Sequence, residues 1–246
     1  MGAEMITPVP PLAPHQAYTL LVILGDAWDW TRTTSMPTIA NRRVAGVLLP
    51  LLWALVAFVA GAIPFSLLIG RLALDTDIRD VGDGNPGATN VLRAGSKLWA
   101  FVAAFLDMIK AALPVALAYV VFGWQGYEIV PIAVAPLLGH NYSPFLQGKG
   151  GKGIAVTGGI WIGLTKGVGG AIGTGGLTLG YLFQSNPGWA VICGLSLILG
   201  YLLIWHRDPV LLVTWAANSL LVLWRHRHDL QQPPQWRDWM HRTPFL

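Results

Sequence analysis

The chain has 246 residues, 54% of them hydrophobic and 11% charged, with a formal net charge of +4 and a mean hydropathy of +0.53. A soluble domain carries about 25% charged residues, so this composition excludes an ordinary water-facing surface and points to lipid as the main solvent. The single Cys193 rules out an intrachain disulfide and argues against a cysteine-based metal cluster, and the basic balance is read as a membrane-face signal and an attraction to anionic lipid, not to nucleic acid.

Residues 1–43 differ from the rest. They hold Pro8, Pro10, Pro11 and Pro14 and a short apolar piece, 18–24, that is too short to span a bilayer. This stretch lacks a basic n-region and reads as a disordered or interfacial extension, with Met36 an alternative start. Apolar runs then follow at 44–70, 98–122, 129–146, 154–164, 168–183, 188–205 and 209–224. The expected fold is an all-α integral membrane protein of about seven transmembrane helices with glycine-rich cytoplasmic loops. Residues 44–230 form the membrane domain, and 231–246 form a cytoplasmic tail. A count of six holds if 154–183 is one crossing or a re-entrant pair. The glycines of 154–183 let helix backbones approach closely.

Charge placement favours seven crossings with the N-terminus outside. Arg71, Arg79, Arg93, Lys97, Lys149, Lys152, Arg225, Arg227, Arg237 and Arg242 then fall inside, and Arg32, Arg42, Arg43, Lys166 and Arg207 outside. Arg42 and Arg43 count against this orientation.

Two polar, glycine-rich loops interrupt the apolar pattern. In 81–93, glycine permits positive φ and close backbone approach, and successive amides in such turns form anion-binding nests. Gly84, Asn85, Gly87, Thr89 and Asn90 are candidate phosphate-binding residues, and Arg93 adds a fork suited to phosphate. Gly82-x-Gly84-x-x-Gly87 also matches a dinucleotide fingerprint, but that motif needs a preceding strand, and here a span precedes it. The second loop supplies Lys149, Gly150, Gly151, Lys152 and Gly153. It lacks the Ser or Thr that a Walker loop requires after its lysine. His140 and Ser143 lie just upstream and join the candidates.

Asp107 and Lys110 are three positions apart and share a helix face inside a span. Charges there are functional or paired, and Lys110 is taken as a further phosphate ligand. In the run from Arg225 to Asp229, His226 or His228 is a candidate phosphate donor or proton carrier, although a basic flank stopping the last span explains the arginines equally well. Acidic residues are absent between Glu128 and Asp208, which excludes a multi-carboxylate metal site in the middle spans. No covalent nucleophile is apparent.

The motifs, taken in order, resemble those of the bacterial acyl-phosphate:glycerol-3-phosphate acyltransferases of the PlsY type. The likeness runs from about Ala60 to Leu230: Gly61 to Phe65, Asp77 to Arg93, Asp107 with Lys110, Gly139 to Phe145, Lys149 to Gly153, and Arg225-His226. The resemblance implies an enzyme of the bacterial plasma (inner) membrane with its active face cytoplasmic. It would move a fatty acyl group from acyl phosphate to the 1-hydroxyl of glycerol 3-phosphate, giving lysophosphatidate and phosphate for phospholipid synthesis. The expected partners are the two substrates, membrane lipid and the enzyme that forms acyl phosphate, with no nucleic acid, cofactor or metal.

Two positions depart from the family pattern. Asp83 stands where the family usually has serine, and Asp229 where it has asparagine. Either carboxylate repels phosphate unless it is protonated, acts as a base or pairs with a nearby cation, so Asp83, Asp229 and His226 are the candidate catalytic groups. Two other readings compete: a catalytically impaired paralogue that binds lipid phosphates or assists another membrane protein, and a small-anion transporter. The gathering of polar residues at one membrane face disfavours transport.

Overall fold

The computed structural model describes residues 39–241, so the expectations for 1–38 lie outside the described residues. Within the described residues, 45–241 fall in one unit. The helices in chain order are α1 (Ile39–Ala62), α2 (Phe65–Ala73), α3 (Ala88–Arg93), α4 (Lys97–Ala116), α5 (Ile129–Asn141), α6 (Ile154–Leu164), α7 (Val168–Phe183), α8 (Pro187–Tyr201), α9 (Pro209–Arg225), α10 (Arg227–Leu230) and α11 (Asp238–His241). Two of them continue as π-turns, α4 through Leu117–Val121 and α8 through Leu202–His206. Among the described residues there is no strand, only an isolated antiparallel bridge between Gln184 and Trp236.

Among the described residues, three segments are long and apolar enough to cross a membrane: Gly46–Ala73, Lys97–Val121 and Pro187–His206. Ile154–Leu164, Val168–Phe183 and Pro209–Arg225 are apolar but shorter. The 11 residues of α6 reach about 16 Å, roughly half the hydrocarbon thickness.

The first apolar run is not one helix. It breaks at Ile63–Pro64, because proline has no N–H to donate and its ring disfavours helical geometry in the residue before it. The carbonyls freed at the end of α1 are caught by distant side chains. Ser143 Oγ donates to Ala62 O at 2.6 Å and Lys110 Nζ donates to Ile63 O at 2.7 Å. The later starts are built locally: Asn186 before Pro187 caps α8 by accepting from Gly188 N, and Asp208 before Pro209 caps α9 by accepting from Val210 N.

Small residues set the helix spacing. A Cβ at Gly159 of α6 would overlap the Met108 carbonyl of α4, and one at Gly180 of α7 would stand 2.7 Å from the Ala190 Cα of α8. Gly61 and Gly139 bring α1 and α5 together in the same way. The core between these helices is built on Ile132, Leu137, Ile160, Trp161, Leu195 and Leu211. Leucines and phenylalanines such as Leu51, Leu55, Phe101 and Leu220 face outward and are exposed, as expected where the solvent is lipid.

The end of the chain folds back. Ser185 N donates to Gln235 O at 2.9 Å, Arg237 Nε to Tyr181 O at 2.6 Å and Trp239 Nε1 to Leu182 O at 3.0 Å. Residues 235–239 therefore lie against the turn between α7 and α8.

Candidate active site at the loop ends

Both glycine-rich loops and the end of α9 meet around one cavity of about 470 Å³, lined by Asp83, Gly84, Asn85, Pro86, Gly148, Lys149, Gly150, Lys152, Arg225, His228 and Asp229. The first loop is set by Asp77, whose side chain accepts from Arg79 N and starts the 3-10 turn Ile78–Asp80. The same carboxylate accepts from the Arg79 guanidinium at 2.6 Å and from Arg71 at 2.8 Å. These two arginines hold it far below the usual carboxylate range. Gly82 then takes φ 62°. A Cβ there would stand 2.6 Å from Asn90 Oδ1 and 2.5 Å from the Arg93 guanidinium, so the missing side chain gives α3 room to pack against the turn.

Several of the amides that an anion nest would use are bonded within the protein. Gly84 N donates to Val81 O, Asn85 N to Asp83 Oδ1 and Gly87 N to Asn85 O. In the second loop, Gly148 N donates to Ser143 O, Lys149 N to Leu146 O, Gly150 N to Asn141 O and Gly151 N to His140 O. These amides are spent inside the protein. The second-loop glycines serve close approach instead, since a Cβ at Gly150 would run into the His140 carbonyl and one at Gly151 into the His140 ring. The first loop is preceded by a 3-10 turn and followed by a helix of 6 residues, without the strand that a dinucleotide fingerprint needs.

Charge is therefore supplied by side chains. Lys152 Nζ lies 3.1 Å from Asp83 Oδ2 and 2.8 Å from Asp229 Oδ2. Arg93 is turned to the same acid, at 3.4 Å from Asp83 Oδ1, and donates to Asn90 Oδ1 at 2.9 Å. Asn90 Nδ2 in turn donates to Asp83 Oδ1 at 3.1 Å. Of the three states open to the carboxylates, both are paired with cations. Partial burial pushes the Asp83 carboxyl up, but the hydrogen bond and charge of Lys152, with Asn85 N and Asn90, outweigh it and hold it below its ordinary value. Arg225 ties α9 to the second loop: Nε donates to Gly151 O at 3.1 Å and a terminal nitrogen to Gly150 O at 2.5 Å.

Several predicted ligands stand apart from the cavity lining. Lys110 and His140 belong to a buried cluster at the α1–α2 break. There Lys110 Nζ is 2.7 Å from Asp107 Oδ1 and 3.1 Å from His140 Nδ1, and Ser66 Oγ donates to Asp107 Oδ2 at 3.0 Å. An ammonium only donates, so His140 accepts at Nδ1. Ser143 is buried on Ala62 O. Thr89, Gly87, Asn90, Arg93, Gly151 and Gly153 support the loops from outside the lining. His226 is fully buried, with Nδ1 donating to Val222 O at 2.8 Å and Nε2 without a protein partner. The histidine that lines the cavity is His228. Arg225, Gly148 and Pro86 were not among the predicted ligands, whereas His228 was the alternative to His226 as phosphate donor or proton carrier. The run of charges from Arg225 to Asp229 was the signal that held Arg225.

Beside this polar site lies a narrow apolar seam of about 50 Å³ between α6, α7, α8 and α9, with Ile154, Gly158, Gly173, Leu177, Gly194 and Val222 among its walls. Ile154 directly follows the second loop, and Val222 lies one helical turn before Arg225.

Residues 51–233 match the family model for glycerol-3-phosphate acyltransferase. The glycerol-3-phosphate acyltransferase of Anaeromyxobacter dehalogenans strain 2CP-1 is 38% identical over 186 residues, covering 71% of this chain and 89% of that protein. The one from Proteus mirabilis strain HI4320 is also 38% identical, over 177 residues, 72% of this chain and 79% of that protein. The crystal structure of PlsY (YgiH), an integral membrane glycerol 3-phosphate acyltransferase in its glycerol 3-phosphate form, superposes with a TM-score of 0.69 at 28% identity, over 74% of this chain and 90% of that one. On this evidence the chain belongs to the glycerol-3-phosphate acyltransferase family.

Proposed function

We propose that the protein transfers a fatty acyl group from acyl phosphate to the 1-hydroxyl of glycerol 3-phosphate at the cytoplasmic face of a bacterial plasma membrane. The observation that carries this reading is a cationic cavity, lined by Lys149, Lys152 and Arg225, at the ends of apolar helices in a chain of this family. Lys149, Lys152, Arg225 and His228 hold phosphate, and Asp83 and Asp229 fix the position of Lys152. The first methylenes of the acyl chain enter the apolar seam and the remainder lies in lipid. Acyl phosphate is a mixed anhydride with a good leaving group, so positioning and charge stabilisation supply most of the catalysis. The hydroxyl oxygen bonds to the acyl carbon, the bond from that carbon to the phosphate oxygen breaks, and the hydroxyl proton leaves on the released phosphate. His226 acts as a positioning residue for Arg225 and Asp229, and the buried Lys110–His140 cluster anchors the helix break beneath the loops.

Seven crossings follow if α1 and α2 make one span and α4 to α9 one each. The short α6 is buried against α4 through Gly159 and Gly163, and a helix covered by protein tolerates ends that lipid would not. Residues 44–230 then form the catalytic unit, and 231–241 brace the turn between α7 and α8.

The test is purified protein in lipid nanodiscs with glycerol 3-phosphate and either acyl phosphate or acyl-CoA, with lysophosphatidate as readout. Product from acyl phosphate alone is expected. Product from acyl-CoA and none from acyl phosphate would overturn the donor assignment.

A further inference from the structure

The last turn of α7 is capped from far along the chain. The final carbonyls of a helix have no partner within it. Gly180 O is taken locally, by Gln184 N at 2.8 Å. The next three are taken by the end of the chain: Tyr181 O accepts from Arg237 Nε at 2.6 Å, Leu182 O from Trp239 Nε1 at 3.0 Å and Phe183 O from Arg237 N at 3.0 Å. The guanidinium also sets a positive charge against the negative end of the helix dipole. The Trp239 ring packs on Phe183, with centroids 5.7 Å apart. Gln235 then closes on the turn: its carbonyl accepts from Ser185 N at 2.9 Å, and its N–H donates to Gln184 Oε1 at 2.9 Å. Residues 235–239 thus form a strap over the turn between α7 and α8, outside the 51–233 region that matches the family.

The other side of that turn reaches the cavity. Asn186 Nδ2 donates to the Asp229 carbonyl at 2.7 Å, while its Oδ1 caps α8. A Cβ at Gly188 would stand 3.0 Å from Asp229 Cβ and 2.9 Å from Leu230 Cδ2, so the start of α8 presses directly on this backbone. Trp189 Nε1 donates to Gln232 O at 3.0 Å. Asp229 is therefore located by the start of α8, and the turn before it by the strap. The Asp229 carboxylate in turn holds Lys152 Nζ at 2.8 Å. Among the described residues, none of 235–239 lines the cavity.

We infer that Arg237, with the strap around it, is a positioning residue for acyl transfer: it caps α7 and fixes the turn, the turn fixes Asp229, and Asp229 fixes the ammonium of Lys152. The role rests on reading the cavity as the site for the phosphate of glycerol 3-phosphate. Without the strap the segment after α9 shifts, and Lys152 loses the aim that one of its two acids gives it. Binding of glycerol 3-phosphate then weakens. The chemical step changes less, because the leaving group of acyl phosphate is already good.

Steady-state kinetics in nanodiscs with varied glycerol 3-phosphate test this on Arg237→Ala, Asp229→Ala and the double variant. Arg237→Ala is expected to raise KM for glycerol 3-phosphate about fivefold with kcat within about twofold, an ordinary coupling between groups in one network. Arg237→Lys should recover part of the loss, and Trp239→Phe, which removes only the indole N–H, should show a smaller rise. Unfolded enzyme lowers apparent kcat and leaves KM alone, so the split separates positioning from stability. In the Asp229→Ala background, Arg237→Ala should add nothing to KM. An unchanged KM in both Arg237→Ala and Trp239→Phe would overturn the inference, and so would the same fold rise with Asp229 absent. Hydrogen exchange supplies an arm that needs no turnover. The amides of Leu230 and Gln231, bonded to the His226 and Arg227 carbonyls, should exchange faster in Arg237→Ala, and equal protection would also overturn the inference. A wild type that makes no lysophosphatidate would instead remove the acyltransferase reading, and the positioning role with it, whatever the exchange shows.

Discussion

Lys152 Nζ stands 2.8 Å from Asp229 Oδ2, a contact between residues 77 positions apart in the chain. Asp83 reaches the same ammonium from a third segment. Lys152→Ala therefore removes a cation and leaves two acids facing each other. A lost charge-assisted contact of about 3 kcal/mol corresponds to a drop in kcat/KM of roughly 100-fold. Lys152→Arg should recover part of it. Steady-state kinetics with varied glycerol 3-phosphate check both, and near-normal kcat/KM in Lys152→Ala would remove the lysine from the site.

The Lys110–Asp107 pair is almost fully buried, with side-chain exposures of 3% and 4%. Breaking such a pair leaves an uncompensated charge, which costs about 3–5 kcal/mol. Lys110→Met should lower the thermal unfolding midpoint sharply, and also strand the Ile63 carbonyl. Adding Asp107→Leu should return much of the loss. If the double variant is as unstable as the single one, hydrogen bonding to Ile63 and His140 matters more than the buried charge.

Gly158 and Gly159 are neighbours with opposite tolerance. A Cβ at Gly158 has nothing within 4 Å, whereas one at Gly159 overlaps the Met108 carbonyl. Gly158→Ala is expected to be neutral or slightly stabilising, by up to about 1 kcal/mol. Gly159→Ala is expected to cost about 1–3 kcal/mol by pushing α6 off α4. Unfolding curves in one detergent decide it; equal effects would contradict the close packing of these helices.

The open space at Gly158 is a wall of the apolar seam. Gly158→Leu should fill it without a backbone clash and raise KM for long-chain acyl phosphate, with little change for glycerol 3-phosphate. An unchanged KM for the donor would place the acyl chain elsewhere on the lipid-facing surface.

Burial pushes the His226 imidazole below its ordinary value, and the charges of Lys152 and Arg225 add to this against the Val222 hydrogen bond and Asp229. The unfolded chain then takes up the proton first. The stability contribution is complete above about pH 6.5, the ordinary histidine value, and is lost as pH falls through the lower folded value. The unfolding midpoint should decline over that acid range, and His226→Gln should flatten the decline. The same slope in the variant would assign it to another group.

The apolar runs were legible because lipid imposes length and composition directly, and the two polar loops because they interrupt those runs. The break at Ile63–Pro64 was not read, although Pro64 is visible in the sequence. A helix interrupted inside an apolar run needs outside donors, and Ser143 and Lys110 come from distant positions. The same two residues were predicted as phosphate ligands for the polarity that the break consumes. The glycine loops show a related point: spacing reveals where a backbone can turn, but not that the amides of Gly150 and Gly151 are taken by the Asn141 and His140 carbonyls. The pairing of Asp83 and Asp229 with one lysine was among the alternatives, but only the fold brings three distant segments to one point.

That convergence bears on how the protein is made. The cavity draws on the first loop, the second loop and the segment after α9, and Arg225 locks the last helix onto Gly150 and Gly151. During synthesis the cavity cannot close until α9 and the segment after it have emerged from the ribosome. A nascent chain truncated before Arg225 would carry both glycine loops and still have no closed cavity.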